Sequence, residues 1–90
     1  MSETLMEKRV VDWAEAHGWH VRKLVWLGQS GAPDRIFIRN GIVVFIELKD
    51  RAKEPSALQA RQHRDLRAHG ANVYWADTFE KAVAYLKAHM

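Results

Sequence analysis

The sequence predicts an α/β fold in which a central mixed sheet is flanked by helices, in the order α-β-β-β-α-β-α. The first observation is size: the chain has 90 residues, 48% of them hydrophobic, which suffices for one small core, so we assign residues 1–90 to a single domain. The second is that segments whose apolar residues have helical spacing alternate along the chain with segments typical of strands. The third is the nearly continuous apolar run IVVFIELK at 42–49, which indicates a buried strand in the middle of the sheet.

The first two elements follow from periodicity and stop signals. Apolar residues at helical spacing predict a helix over 3–17, which Gly18 ends. The segment 19–27 is rich in strand-forming residues, and we predict a strand there. The following GQSGAPD contains two glycines and a proline, so it indicates a turn or loop.

A hairpin comes next, with strands predicted over 35–39 and 42–49. Asn40-Gly41 between them is the strongest short hairpin signal in a sequence. A hairpin that turns at these two residues places Asp34 opposite Glu47. The two carboxylates are therefore predicted to be cross-strand neighbours.

The last part of the chain contains two helices and one strand. Ser56 can cap a helix, and Gly70 can end it. The segment from Asp77 to Glu80 has the pattern of a capping box for a final helix. The predicted elements are a loop over 50–55, a helix over 56–69, a strand over 71–76 and a helix over 78–88.

Composition and charge narrow the functional classes. The chain has no cysteine, which excludes a disulfide framework and a thiolate zinc site and fits a reducing cytoplasm, the location we expect. The first residues mix acidic with apolar side chains, so we expect neither a signal peptide nor a membrane span. The net charge of +3 is compatible with a polyanionic partner. Six basic residues fall close together, as on a solvated helix face or a nucleic-acid surface: Lys49, Arg51, Lys53, Arg61, Arg64 and Arg67.

The charged end of the 42–49 strand is the main functional signal. Strand side chains alternate, so Glu47 and Lys49 point to the same face of the sheet. Two close carboxylates repel each other unless a cation lies between them, and Mg²⁺ prefers oxygen ligands of this kind. Asp34, Glu47 and the backbone carbonyl of Leu48 are candidate ligands, and Lys49 can orient water or offset phosphate charge. The alternative is a carboxylate–lysine network at the frayed end of a strand.

These residues give the sequence a family resemblance. It resembles the PD-(D/E)xK nuclease superfamily and, within it, the minimal stand-alone VRR-NUC domains of phage and bacteria, which are related to archaeal Holliday-junction resolvases. The resemblance rests on SGAPDRIFIRNGIVVFIELK, on EPSALQ and on a glycine-ended helix that leads into a short strand, and it extends from about Glu3 to Leu86. It implies a restriction-endonuclease-like fold and a Mg²⁺- or Mn²⁺-dependent endonuclease that acts on DNA.

The resemblance also implies roles for single residues. Asp34 and Glu47 correspond to metal ligands, and Lys49 corresponds to the catalytic lysine. A first-helix glutamate joins the site in this family, often through metal-bound water; Glu7 takes that role here, with Glu3 as the substitute candidate. The alternative for Glu7 is a solvated acid that favours the helix dipole.

The family's glutamine after the ExK motif has two candidates, Gln59 and Gln62. We assign Gln59, which stands three residues after Ser56 and therefore also fits a capping box. Ser30 and Gly31 fit the family's loop and can approach a phosphate, although simple turn chemistry also explains them. The candidate DNA contacts are Ser30, Gly31, Arg51, Lys53, Arg61 and Arg64.

The histidines and tryptophans carry weaker signals. None of the five histidines has metal-ligand spacing, so surface or core positions explain them better than a metal site. The pattern favours core positions for Trp13 and Trp75.

The resemblance to junction-resolving enzymes thus implies a structure-selective endonuclease, acting as a homodimer on branched DNA such as Holliday junctions or flaps. One alternative is a nicking nuclease without junction preference. The other is a catalytically silent DNA-binding or assembly module that keeps the fold.

Overall fold

The chain forms a four-stranded sheet with helices on both faces, as seen in a computed structural model that describes residues 3–90, apart from the side chain of Glu3. None of the helices in these residues is long and apolar enough to cross a membrane. The element order α-β-β-β-α-β-α is the predicted one. The elements are α1 (Glu3–Ala16), β1 (His20–Lys23), β2 (Arg35–Arg39), β3 (Ile42–Leu48), α2 (Ala57–Ala68), β4 (Asn72–Ala76) and α3 (Phe79–Lys87).

The sheet is mixed, in the order β1-β2-β3-β4, so β3 is an interior strand as predicted. β1, β2 and β3 pair antiparallel, whereas β3 and β4 pair parallel. The hairpin register is also the predicted one, because Arg35 pairs with Ile46. The turn residues have positive φ angles, 50° at Asn40 and 80° at Gly41, which a tight hairpin turn with the twist of the sheet requires.

The two faces of β3 meet different layers. Val44, Ile46 and Leu48 are fully buried in the main core, which α1 and α3 close from one side while packing against each other. The intervening residue Glu47 points to the opposite face, where α2 packs beside β4. This alternation means that the charged end of β3 faces α2 and lies outside the apolar core.

The strand predicted over 19–27 is shorter than expected, since β1 ends at Lys23. Leu24 still donates a backbone hydrogen bond to the Asp34 carbonyl, 2.9 Å away. One step further the partner residue is Pro33, which precedes the start of β2 at Arg35, so the pairing ends there. Val25 and Leu27 are consequently exposed in a loop, at 70% and 94%.

The cap of α3 also differs from the prediction. Thr78 is the N-cap, and its hydroxyl accepts from the Lys81 backbone N–H at 3.2 Å. Asp77 instead accepts from the backbone N–H of Ala52 at 3.0 Å and from the Lys81 ammonium at 2.7 Å. Both bonds lower the pKa of Asp77. The Asp77 carboxylate thus ties the 50–55 loop to the end of β4.

Candidate active site

Asp34 lies at the carboxyl end of β3. It immediately precedes β2, and its Oδ2 accepts a hydrogen bond from the backbone N–H of Leu48 at 2.8 Å. The carboxylate therefore takes the place of a backbone acceptor at a point where β2 has not yet begun. The buried Pro33 restricts the backbone that leads into this position.

Glu47 is a buried carboxylate with compensating partners. Only 2% of the residue is exposed, and its Oε2 accepts from the side-chain amide of Gln59 at 3.2 Å. The ammonium of Lys49 is 3.7 Å from the same oxygen, and its side chain is 21% exposed. A buried charge is costly unless it is paired and hydrogen-bonded, and these two contacts supply the compensation.

Gln59 lies in the first turn of α2, where it forms hydrogen bonds with both Ser56 and Glu47. Its Oε1 accepts from the Ser56 backbone N–H at 2.9 Å, and its own N–H donates to the Ser56 hydroxyl at 3.1 Å, so the predicted capping box is confirmed. The remaining amide nitrogen donates to Glu47. The cap holds the glutamine rigid, and the glutamine in turn fixes the Glu47 carboxylate.

Gln62 contacts a different part of the molecule. Gly31 has a φ of 91°, and a Cβ built on it would lie 2.8 Å from the Gln62 side chain. Gln62 therefore packs against the loop between β1 and β2. Only glycine fits at position 31, because the backbone there is left-handed and the Gln62 side chain leaves no room for a Cβ.

Glu7 is paired with an arginine. Its Oε1 accepts from Nε and Nη2 of Arg35, at 2.9 Å and 2.6 Å, and both side chains are about four-fifths buried. Arg35 pairs with Ile46, so it faces the α1 layer, whereas Glu47 faces α2. No group of three or more His, Cys, Asp or Glu that could hold a metal ion occurs among the described side chains. A role of Glu7 at the metal stays a prediction, and the side chain of Glu3 lies outside the described residues.

The donor set at the end of β3 fits a hard divalent cation. Asp34 and Glu47 offer carboxylate oxygens, and Leu48, which follows Glu47 in sequence, adds a main-chain carbonyl. Mg²⁺ and Mn²⁺ prefer oxygen ligands of this kind, and Mg²⁺ typically takes only one or two carboxylates together with substrate phosphate. A site of two carboxylates is therefore chemically sufficient.

Comparison with known proteins agrees with this geometry. No family model matches the chain. A phage protein, "Putative nuclease p44" of Acyrthosiphon pisum secondary endosymbiont phage 1, is 34% identical over 77 residues, which are 84% of this chain and 83% of that protein. A solved structure described as a VRR_NUC domain matches with a TM-score of 0.89 and 32% identity, over 100% of both chains. The chain belongs to the VRR-NUC domain family. Both relatives support a nuclease.

The residues predicted to contact DNA lie in two places in this VRR-NUC domain. Ser30, Lys53, Arg61 and Arg64 are exposed, as a role in DNA contact requires. Arg51 is also exposed, but it lines a cleft with residues of α1 and the start of α3, on the other side of the sheet from α2. Sequence proximity had grouped Arg51 with the α2 arginines, and the helix packing separates them.

His63 is the site residue that sequence reasoning missed. It is 1% exposed, one turn after Gln59 on α2, and burial together with the nearby Arg67 and Lys49 lowers its pKa. The available signal was its spacing of four from Gln59, which places both on one helix face. Trp75, expected in the core, is instead half-buried beside His63.

Gln59→Ala and Gln62→Ala are expected to affect this VRR-NUC domain differently. Gln59→Ala removes the bond that its Oε1 accepts from the Ser56 N–H and the bond that its Nε2 donates to Glu47, while the Ser56 hydroxyl keeps its backbone donor. We therefore expect the free energy of unfolding to fall by about 0.5–2 kcal/mol and cleavage to slow at least ~10-fold. Gln62→Ala should slow cleavage less than ~3-fold, because it leaves the bond from Gln59 to Glu47 in place. Thermal midpoints and cleavage rates of both variants are the measurement.

The two roles of Gln59 can be separated. A Gln59→Ala protein that melts earlier but cuts at the wild-type rate would show that Gln59 is a cap only. Activity lost in Gln62→Ala alone would move the functional glutamine one turn along α2.

Proposed function

We propose that this VRR-NUC domain is a metal-dependent endonuclease that hydrolyses phosphodiester bonds of DNA. The supporting observation is the set of contacts around Glu47: a buried carboxylate beside Lys49, held by Gln59, at the strand end where Asp34 binds Leu48. Buried carboxylates without a function destabilise a small domain, so this cluster is better explained by catalysis than by stability. Membership of the family supports the same conclusion.

Each residue of the cluster has a chemical task in this proposal. Asp34, Glu47 and the Leu48 carbonyl would hold Mg²⁺ or Mn²⁺. When bound, such an ion lowers the pKa of water and offsets charge on the phosphate. Lys49 stabilises negative charge that develops on the phosphate and orients the attacking water. Gln59 keeps the Glu47 carboxylate in one orientation, so that its oxygens need no rearrangement during the reaction.

DNA would lie along α2 and the loop before β2. Arg61 and Arg64 are exposed on the helix, and Ser30 and Gly31 are on the loop that packs against it. Contacts from these groups to phosphates fix the position of the duplex without reading its sequence. Selectivity for branched DNA is therefore expected to come from the shape of the substrate.

The test is a cleavage panel of single-stranded, duplex, flap and four-way-junction DNA, with Mn²⁺, Mg²⁺ or EDTA. We expect cleavage with either metal and none with EDTA, with flap or junction DNA cut at least ~10-fold faster than duplex. Equal rates on all branched and unbranched substrates would indicate a nicking nuclease without junction preference. Binding without cleavage under every condition would indicate a catalytically silent module and would reject the proposal.

We also propose that the domain is a homodimer in solution, as paired cuts on a junction require. Leu27 and Val25 are 94% and 70% exposed in the loop after β1, and a partner subunit covering them would reduce that exposed apolar surface. Light scattering at micromolar concentration is expected to give twice the 10.4 kDa of one chain. A mass of one chain would contradict the dimer, and Leu27→Glu should convert a dimer to that mass.

A further inference from the structure

A cleft lies next to the candidate active site, between α2, β4 and the loop before α2. Its volume is about 300 Å³, at the lower end of the range for small-ligand sites. Two links connect it with the cluster around Glu47. His63, in the cleft, is one helical turn from Gln59, and Trp75 pairs with Glu47 between neighbouring strands. The side chains that line it include Glu54, Pro55, His63, Arg64, Arg67 and Trp75.

His63 is unusual among the groups that line this cleft. It is 1% exposed, and its Nε2 forms no hydrogen bond with any described residue. Burial and the positive charges of Arg67 and Lys49 lower the pKa of the imidazole, so it is neutral near pH 7. A neutral imidazole nitrogen can donate or accept one hydrogen bond, depending on the tautomer. Buried polar atoms normally have a partner, and a ligand in the cleft would supply one.

The other lining groups discriminate between ligands. Glu54 brings a carboxylate, which repels a phosphate but accepts hydrogen bonds from an amino or imino group. Arg64 brings donors, while Trp75 and Pro55 bring flat apolar surface. One donor of Arg67 is already used within the protein, since its Nε donates to the Val73 carbonyl at 2.9 Å. Donors, an acceptor and an aromatic ring together match a nucleobase, which has a π-face and a mixed hydrogen-bonding edge.

We propose that this cleft binds an unpaired nucleobase of the DNA, next to the phosphodiester that is cut. The inference rests on the proposed function and names its substrate class. A base within a duplex has its pairing edge occupied and its faces stacked, so it must be unpaired and unstacked, at a cost in free energy, before it can enter the cleft. A flap, bulge or junction offers bases that are already unpaired. The cleft would thus select DNA with an unpaired nucleotide beside the cut.

An abasic scan tests the proposal with the unaltered chain. In a flap DNA, the unpaired nucleotides near the cut are replaced one at a time by an abasic analogue that keeps the phosphodiester. We expect one position to lower kcat/KM by about 5- to 150-fold, the range for losing one stacked base. Cleavage within twofold at every position would overturn the cleft and leave the nuclease proposal intact.

The nuclease function and the base-binding cleft can fail independently. If no DNA is cut, the proposed nuclease function is rejected, and the same series is then followed by equilibrium binding. A loss of affinity at one abasic position supports the cleft, and uniform affinity overturns it.

Substitutions of residues that line the cleft test whether the base binds there. His63→Leu should slow cleavage of the intact flap DNA at least ~5-fold. It should hardly change the cleavage rate of the abasic flap DNA, because that substrate already lacks the hydrogen bond to the base. Trp75→Phe serves the same comparison if His63→Leu does not fold. His20→Leu, at the opposite edge of the sheet, is the control and should leave both substrates unaffected. Equal slowing of intact and abasic DNA by His63→Leu would mean a structural role and would overturn the proposal.

Discussion

Glu47→Gln is expected to lower DNA cleavage by at least ~10³-fold while DNA binding stays as tight as in the wild type or becomes tighter. Glutamine keeps the shape and a carbonyl acceptor for Gln59, but it removes the charge that a divalent ion requires. The loss of metal-dependent charge stabilisation amounts to several kcal/mol, and each 1.4 kcal/mol is a factor of ten in rate. Binding improves because one negative charge near the phosphates is lost.

Asp34→Asn should have the same effects, because the Asp34 carboxylate lies at the same end of β3, where it accepts from the Leu48 N–H. Both variants are measured in single-turnover cleavage with Mn²⁺, in DNA binding with EDTA and in thermal unfolding. Removing one of two neighbouring carboxylates relieves repulsion, so we expect thermal midpoints equal to or above that of the wild type without metal. Glu15→Gln, an exposed position on α1, is the matched control. Near-normal turnover of Glu47→Gln or Asp34→Asn in Mg²⁺ would reject the metal-ligand assignment.

Lys49→Ala is expected to lower the cleavage rate by ~10²-fold or more, with little change in metal affinity. The ammonium is 3.7 Å from Glu47 and partly exposed, so it can reach a phosphate while it pairs with the carboxylate. Losing one positioned electrostatic group costs a rate factor of this size. Single-turnover rates across a series of Mn²⁺ concentrations separate the loss of chemistry from a loss of metal binding.

Two further variants sharpen the assignment of Lys49. Lys49→Met keeps most of the aliphatic stem, so a rate loss equal to that of Lys49→Ala would identify the charge as the cause. Lys87→Ala, at the exposed end of α3, is the control for a general loss of positive charge. Activity of Lys49→Ala within a few-fold of the wild type would make Lys49 only a counter-charge for Glu47.

The cost of a buried carboxylate explains several features of the site together. Glu47 is acceptable in a small domain because Gln59 and Lys49 both approach its Oε2. Gln59 can do so because the Ser56 cap fixes its side chain at the start of α2. The capping box, which belongs to local helix chemistry, is therefore also what orients the candidate metal ligand.

The sequence by itself determined the features that depend on short-range chemistry. Asn40-Gly41 adopts the positive φ angles of a tight turn, and the turn sets the register that brings Asp34 to the end of β3. Ser56 and Gln59 form their capping box across three residues. The alternation of side chains along β3 follows from the period of a strand, which separates Glu47 from the apolar core. Each of these depends on groups that are neighbours in sequence or across one hairpin.

Only the tertiary structure decided the contacts between distant elements. Glu7 meets Arg35, 28 residues away, because α1 packs on the face of the sheet where Arg35 points. Arg51 is separated from Arg64 because the sheet lies between α1 and α2. The spacing from Gln59 places His63 on the same helix face, but it is the packing of α2 beside β4 that buries the imidazole. The physical reason is that periodicity fixes which side of an element a residue faces, whereas packing of the layers fixes what that side meets.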